Sequence, residues 1–255
     1  MSHNLFERTT DLLGVFDDLS SSDAEGWERA AQFREYSDPV INKHWQASEY
    51  PLDLVSRLGS LDVMTDGLDV PGHKKMSTLE AGLTLMEITR ADASMGTVIA
   101  VQAGLAMRSI AMLGSEEQKA EYLPQMASCS LLGAFGLTEP DHGSDSIALE
   151  TTAVRDGDEW VLNGEKKWIG NGASGGITII YARMENGNVS GFIVPQDTPG
   201  YSATVIEGKL SLRAIHQAHI ALKDCRIPAA NQLPGCRSFK DVSRVLTATR
   251  IGVSW

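Results

Sequence analysis

The sequence predicts an α+β fold: an N-terminal helical domain, then a small β-barrel or sandwich domain, then the start of a C-terminal helical domain. Three observations carry this. The first half repeats helix-start signals ahead of long apolar stretches. Beyond Leu131 the pattern changes to polar–apolar alternation, with turn signals every ~8–12 residues. The last segment, "SFKDVSRVLTATRIGVSW", returns to helical periodicity. Helices followed by strands is the α+β arrangement. The expected divisions are 1–130, 131–238 and 239–255.

Each element has a local signal. In "SSDAEGWERAAQF", Ser22 and Glu25 stand at capping-box spacing. Ser77 and Glu80 do the same at the head of "STLEAGLTLMEITRADASMGTVIAVQAGLAMRSIAML". Gly114 ends that pattern, and "SEEQKAEYLPQM" restarts it with Ser115 and Gln118. The restarted helix is expected to stop near Pro124, because proline lacks the N–H a helix interior needs. In "TTAVRDGDEWVLNGEKKWIG" the dipeptide Asn163-Gly164 is the strongest two-residue hairpin signal. "ITIIYARMENGNVSGFIVP" repeats the plan, with its turn from Glu185 to Asn188. "YSATVI" and "HQAHIALKDCRIP" add strands. The final helical pattern has no C-cap and no glycine stop before Trp255, so the helix and its domain are expected to continue past it.

Composition bounds the function. The 255 residues suffice for one large domain or two ordinary ones. Hydrophobic and charged contents of 42% and 22% are those of a soluble globular protein. No apolar run approaches the ~20 residues of a membrane helix. "MSHNLFERTT" lacks the apolar segment of a secretory signal. A net charge of -11 is the wrong sign for nucleic-acid backbone binding. Cys129, Cys225 and Cys236, odd in number and scattered, fit a reducing compartment, and no C-x-x-C spacing suggests zinc. These points predict a cytoplasmic protein. His216 and His219 read as sheet or surface histidines, not metal ligands. Met95, Met107 and Met112 read as core within a helical apolar pattern.

Two stretches carry candidate chemistry. "GLTEPDHGSD" follows the apolar "SLLGAF". Gly136 and Gly143 let backbone amides approach a ligand without a Cβ clash, and Thr138 and Ser144 supply hydroxyls. Successive amides in such a loop can nest an anion. The same alphabet also makes an ordinary surface turn. "KKWIGNG" follows about 25 residues later, and Trp168 offers either a flat face for a ring or a core side chain.

Taken together, "FGLTEPDHGSD", "VLNGEKKWIGNG" and "GFIVP" resemble the acyl-CoA dehydrogenase family. "GSEEQKAEYLPQM" and "ADASMGTVIAVQAGLAMRSI" match the helices that precede these motifs there. The likeness runs from about Leu79 to Trp255. "LTEPDHGSD", "WIGN" and "SLRAIHQAHIAL" point to the branch of glutaryl-CoA dehydrogenases and plant short-chain acyl-CoA oxidases.

The resemblance implies FAD held between the β domain and C-terminal helices, in a homotetramer. Phe135, Gly136, Leu137, Thr138, Gly143 and Ser144 would hold flavin and pyrophosphate, and Trp168, Ile169 and Gly170 would lie against the isoalloxazine. Ser144, Gly96, Thr97, Thr247 and Arg250 would contact the acyl-CoA substrate. A carboxylate would take the α proton while hydride leaves the β carbon for flavin. Electrons would pass to an electron-transfer flavoprotein, or to oxygen in an oxidase. A homologue that binds acyl-CoA or flavin without catalysis is the third possibility.

Several positions depart from the pattern. The family's base is expected beyond Trp255, and the position a minority branch uses is Thr249, so no catalytic residue is assigned within the chain. Glu139 is expected to be structural. Gly96 stands where glutaryl-CoA dehydrogenases carry a carboxylate-binding arginine, which favours an uncharged acyl chain. Gly170 replaces a hydroxyl residue common beside flavin N5, and Thr247 replaces a common aspartate.

Overall fold

The computed structural model describes residue 14 and residues 16–255. The expectation drawn from "MSHNLFERTT" lies outside the described residues.

The helical half comprises α1 (Ser21–Ala47), α2 (Leu52–Ser60), α3 (Thr78–Ala91), α4 (Ala93–Ile99), a π-helical segment (Ala100–Met107), α5 (Arg108–Leu113) and α6 (Glu116–Ala127). The cap of α1 is Ser20, not Ser22: its hydroxyl accepts from Asp23 N, and Asp23 in turn takes the Ser77 hydroxyl. Ser77 caps α3 as its spacing predicted, accepting from Glu80 N. Ser115 and Gln118 form a reciprocal capping box on α6. That helix does not stop at Pro124 but runs through it to Ala127. Leu123, Met126 and Ala127 are buried in its last turns. Burial at about 1.5–3 kcal/mol per large side chain offsets the roughly 3 kcal/mol cost of an internal proline.

The run Ala93–Leu113 corrects a second expectation. It holds 21 residues with a mean hydropathy of 1.4, long and apolar enough by length and composition to cross a membrane. Here it is a core helix. Gln102, wholly buried at its middle, donates to Met126 O and Leu131 O and accepts from Gly133 N, tying the π segment to the end of α6 and the first strand.

The strands β1 (Gly133–Gly136), β2 (Thr152–Asp156), β3 (Glu159–Gly170), β4 (Ile177–Met184), β5 (Val189–Pro195), β6 (Tyr201–Val205) and β7 (Gln217–Pro228) form one seven-stranded sheet. β5 lies antiparallel along one side of β4, while β1 and then β2 pair with it in parallel. β3, β7 and β6 follow as an antiparallel series beyond β2. Ile177, Ile179 and Tyr181 of β4 belong to the core shared with the helices; Ile180 and Ala182 face a second core with Trp160, Phe192, Ile220 and Ile227 inside the curled sheet. The period-2 pattern therefore divides one strand between two cores.

The turn at Glu185–Asn188 is as expected, but the hairpin at Asn163-Gly164 is not. Asp156 pairs with Glu159, so β2 and β3 turn at Gly157-Asp158. Gly164 instead sits in β3, at φ +146, where the register slips between Leu162 and Gly164. A Cβ there would lie 2.6 Å from Thr151 Oγ1. The glycine serves a close approach of chains rather than a reversal.

α7 (Phe239–Thr249) follows, buries Val242 and Val245, and packs on α5 and the π segment. Met95 and Met107 are buried as expected, while Met112 is more than a third exposed. The three cysteines are free. His219 pairs with Glu165 on the exposed face of the sheet, and His216 packs against Tyr50. Among the described residues no cluster suited to a metal occurs.

Candidate functional site

The two motif stretches meet across a cleft of about 330 Å³. Phe135 lines it from β1, and Leu137, Thr138 and Gly143 from the loop that follows. Trp168, Ile169 and Gly170 line it from the end of β3. Val101 and Leu105 of the π segment, with Ser146 and Leu246, complete it. Its size is within the range of small-molecule sites, and its mostly apolar walls suit a flat ring.

Trp168 is the anomaly. Its backbone is left-handed, at φ +64, and its side chain is 52% exposed. A bulky residue in that region is a true outlier, costing about 1–3 kcal/mol, and it persists only where the surroundings fix it. Folding gains little from an indole left half in water. The next residue but two, Asn171, is also left-handed at φ 61. Asn171 is wholly buried: its amide donates to His216 O, its side chain donates to Gly133 O, and it accepts from the Tyr50 hydroxyl at 2.7 Å. A register shift between Lys166 and Ile169 turns the indole out of the sheet.

The loop is braced from behind. Glu139 is buried and accepts from Lys166 Nζ, Thr151 N, Thr151 Oγ1 and Glu150 N. Burial raises the pKa of its carboxyl, but the Lys166 charge and these hydrogen bonds outweigh it and hold the group below the usual range. Burial pulls the Lys166 ammonium down to about 8, against the carboxylate that favours its charge. Glu139 is saturated and faces structure, as expected. Asp141 and Asp145 are exposed, so their charge is turned to solvent.

The remaining candidates fall elsewhere. Gly136 is buried against β4, where a Cβ would lie 2.7 Å from Ile180 Cδ1. Ser144 is exposed and does not line the cleft. A Cβ on Gly96 would lie 2.2 Å from Thr89 Oγ1, so this position faces α3. Thr97 bonds back to Ala93 O, and Thr247 to Ser243 O. Thr247 and Arg250 are exposed, and Leu246 is the α7 residue that reaches the cleft. Sequence reasoning missed Val101 and Leu105; their one-turn spacing was a signal, but nothing marked that face as lining a site rather than the core. None of the residues lining the cleft is acidic or basic.

Comparison with known proteins agrees with this fold. Residues 27–130 match the acyl-CoA dehydrogenase N-terminal domain, and residues 134–225 match the acyl-CoA dehydrogenase middle domain. The mitochondrial short-chain specific acyl-CoA dehydrogenase of Mus musculus is 36% identical over 214 residues, covering 80% of this chain and 51% of the relative. The crystal structure of glutaryl-CoA dehydrogenase from Mycobacterium smegmatis superposes with a TM-score of 0.91 at 37% identity, over 95% of this chain and 63% of that one. A structure of that bacterium's glutaryl-CoA dehydrogenase in complex with FADH2 gives 0.91 at 34% identity, with the same coverage. The chain spans about half the length of the curated relative it matches.

Proposed function

Because the chain belongs to the acyl-CoA dehydrogenase family, of which it carries the N-terminal and middle domains, we propose that it serves the FAD-dependent α,β-dehydrogenation of an acyl-CoA thioester. The observation that carries this is Trp168, strained and half exposed, facing Leu137 and Thr138 across a cleft. The relative solved with FADH2 supports a flavin in this cleft. The donor set fits: an indole face, bare glycine backbone at Gly143 and Gly170, and a threonine hydroxyl. A Cβ at Gly143 would meet open space, so the fold itself does not require glycine there, whereas an approaching ligand would.

When bound, FAD would accept the hydride lost from the substrate's β carbon. The chain's own part is to bind and orient. Trp168, Ile169 and Gly170 would support one side of the ring, and Phe135, Leu137, Thr138 and Gly143 the other. Gly136 contributes by packing, and Ser144 would offer its hydroxyl from the exposed part of the same loop. Proton removal needs a carboxylate, and the residues lining the cleft include none. The substrate is best read as an uncharged acyl chain: Gly96 faces α3, and no cation lines the cleft. Domain divisions near 130 and 238, a homo-oligomeric assembly, an electron-transfer flavoprotein as acceptor and a cytoplasmic setting belong to the same proposal.

Gly170 favours a second acceptor. It presents no hydroxyl to the cleft, and even a Cβ would sit 3.0 Å from Val101. An oxidase that passes electrons to oxygen is the corresponding reading. The test is to titrate the chain with FAD and follow quenching of flavin fluorescence. An FAD-loaded enzyme that also supplies the proton-removing carboxylate then meets butyryl-CoA without air. Quenching followed by bleaching supports the proposal; failure to take up FAD defeats it. Peroxide release on admitting air selects the oxidase.

A further inference from the structure

The ion pair behind the cleft lies where it can govern the site. Lys166 is completely buried. Its Nζ donates to Glu139 Oε1 at 2.8 Å and to Leu137 O at 3.2 Å. The next residue, Lys167, donates its amide to Thr138 O at 2.9 Å. Two consecutive residues of β3 thus grip three consecutive residues of the loop. Leu137 and Thr138 belong to one wall of the cleft, and Trp168, Ile169 and Gly170, directly after the gripping pair, form the other.

Glu139 extends the grip. Glu150 N and Thr151 N donate to its carboxylate at 2.6 and 2.9 Å, and the Thr151 hydroxyl at 2.6 Å. The chain returning from the loop is thereby fastened to the same carboxylate that holds Lys166. Thr151 also meets β3 where Gly164 allows close approach. The left-handed Trp168 is therefore held from both sides: upstream by the Lys166 attachment, downstream by the buried Asn171 with its Tyr50 and Gly133 bonds.

We propose that Lys166 and Glu139 are positioning residues that set the separation of the two cleft walls, and through it the affinity of the cleft for a flavin ring. This rests on the flavin reading of the site. The alternative is a pair that only stabilises the fold. Physics separates the two. A buried pair is worth little over a neutral replacement of both partners, but removing one partner strands a charge. Replacing both members therefore tests position with little change in stability.

The experiment compares the wild type with Lys166→Met and with Lys166→Met/Glu139→Gln. The double variant is expected to be more stable than Lys166→Met. Its FAD dissociation constant, read by fluorescence quenching, is expected to rise about tenfold, equivalent to about 1.4 kcal/mol, with a shifted absorption band for the bound flavin. Without FAD, exchange of the Lys167 amide is expected to be about tenfold faster in the double variant, a local opening, while amides of β4 stay unchanged. Wild-type FAD affinity in the double variant overturns the proposal. So does unchanged protection of the Lys167 amide.

If the double variant does not fold, the wild type decides. Its Lys167 amide should exchange as slowly as the β4 amides, and exchange at the rate of an exposed loop overturns the clamp. A wild type that takes up no FAD defeats the flavin reading and the affinity half of this proposal. Amide exchange then judges whether the pair fixes the walls.

Discussion

At the scale of single residues, the site is made by positions that folding alone would not choose. Trp168 keeps a left-handed backbone and a half-exposed indole. Asparagine adopts that conformation far more readily. Trp168→Asn is therefore expected to raise the unfolding free energy by about 1 kcal/mol, measured by urea denaturation. FAD binding should weaken in the same protein. A loss of stability would show that the indole packs more than its exposure implies. Glu139 gives a pH signature. Its folded-state pKa lies below the unfolded value of about 4.3, because the Lys166 charge and four donors outweigh the cost of burial. Its contribution is thus fully present above that value and is lost as pH falls through the folded pKa. Glu139→Gln should remove this part of the acid slope, so the stability gap between wild type and variant narrows below about pH 4. A gap that is flat across that range would contradict the assignment.

At the scale of elements, glycine and capping signals explain both what the sequence disclosed and what it hid. Ser77 and Ser115 were legible because a cap depends on residues three apart. Ser115→Ala is expected to cost about 1 kcal/mol, seen as a lowered melting temperature. The two glycines of the β2–β3 region were not separable by local rules. Asp156-Gly157 and Asn163-Gly164 carry the same hairpin signal, and only tertiary contact distinguishes them. Gly157 has φ +58 and open space about its missing Cβ; Gly164 is crowded by Thr151. Gly157→Ala should therefore cost about 1 kcal/mol. Gly164→Ala should cost more than about 2 kcal/mol, because strain and overlap coincide. Equal losses would show that Thr151 yields freely. Pro124 was misread for a related reason: the rule against internal proline is local, while burial of Leu123 and Met126 is not.

At the scale of the whole molecule, polar contacts lock the helical half to the sheet at several places, one of them directly after the cleft residue Gly170. The Tyr50 hydroxyl reaches from the segment between α1 and α2 to Asn171, and Tyr181 of β4 donates to Ser109 on α5. Tyr50→Phe strands the buried Asn171 oxygen and is expected to cost about 1–3 kcal/mol in urea unfolding. No change would mean that water or another donor replaces the hydroxyl. The α+β plan was readable because period 3.6 and period 2 occupy separate parts of the sequence. The cleft was half readable. Its two motif stretches stand out by composition, but Val101, Leu105 and Leu246 reach it only through the packing of helices on the sheet. The same packing puts Gly136 into the core and leaves Thr247 and Arg250 in solvent.

The π-helical segment Ala100–Met107 also constrains how this gene can change. Such a segment is an α-helix that has absorbed surplus chain, each extra residue advancing the face by about 100°. Loss of a single codon between Ala100 and Met107 would let the helix relax to ordinary winding. The flanking turns would keep their register, because the widened turn is what takes up the extra residue, and the side chains inside the segment would be the ones displaced. Val101 and Leu105 would leave the cleft while α5 kept its place. In-frame deletions should therefore be tolerated in the exposed Glu185–Asn188 turn and rejected here, an asymmetry that a deletion library would read directly.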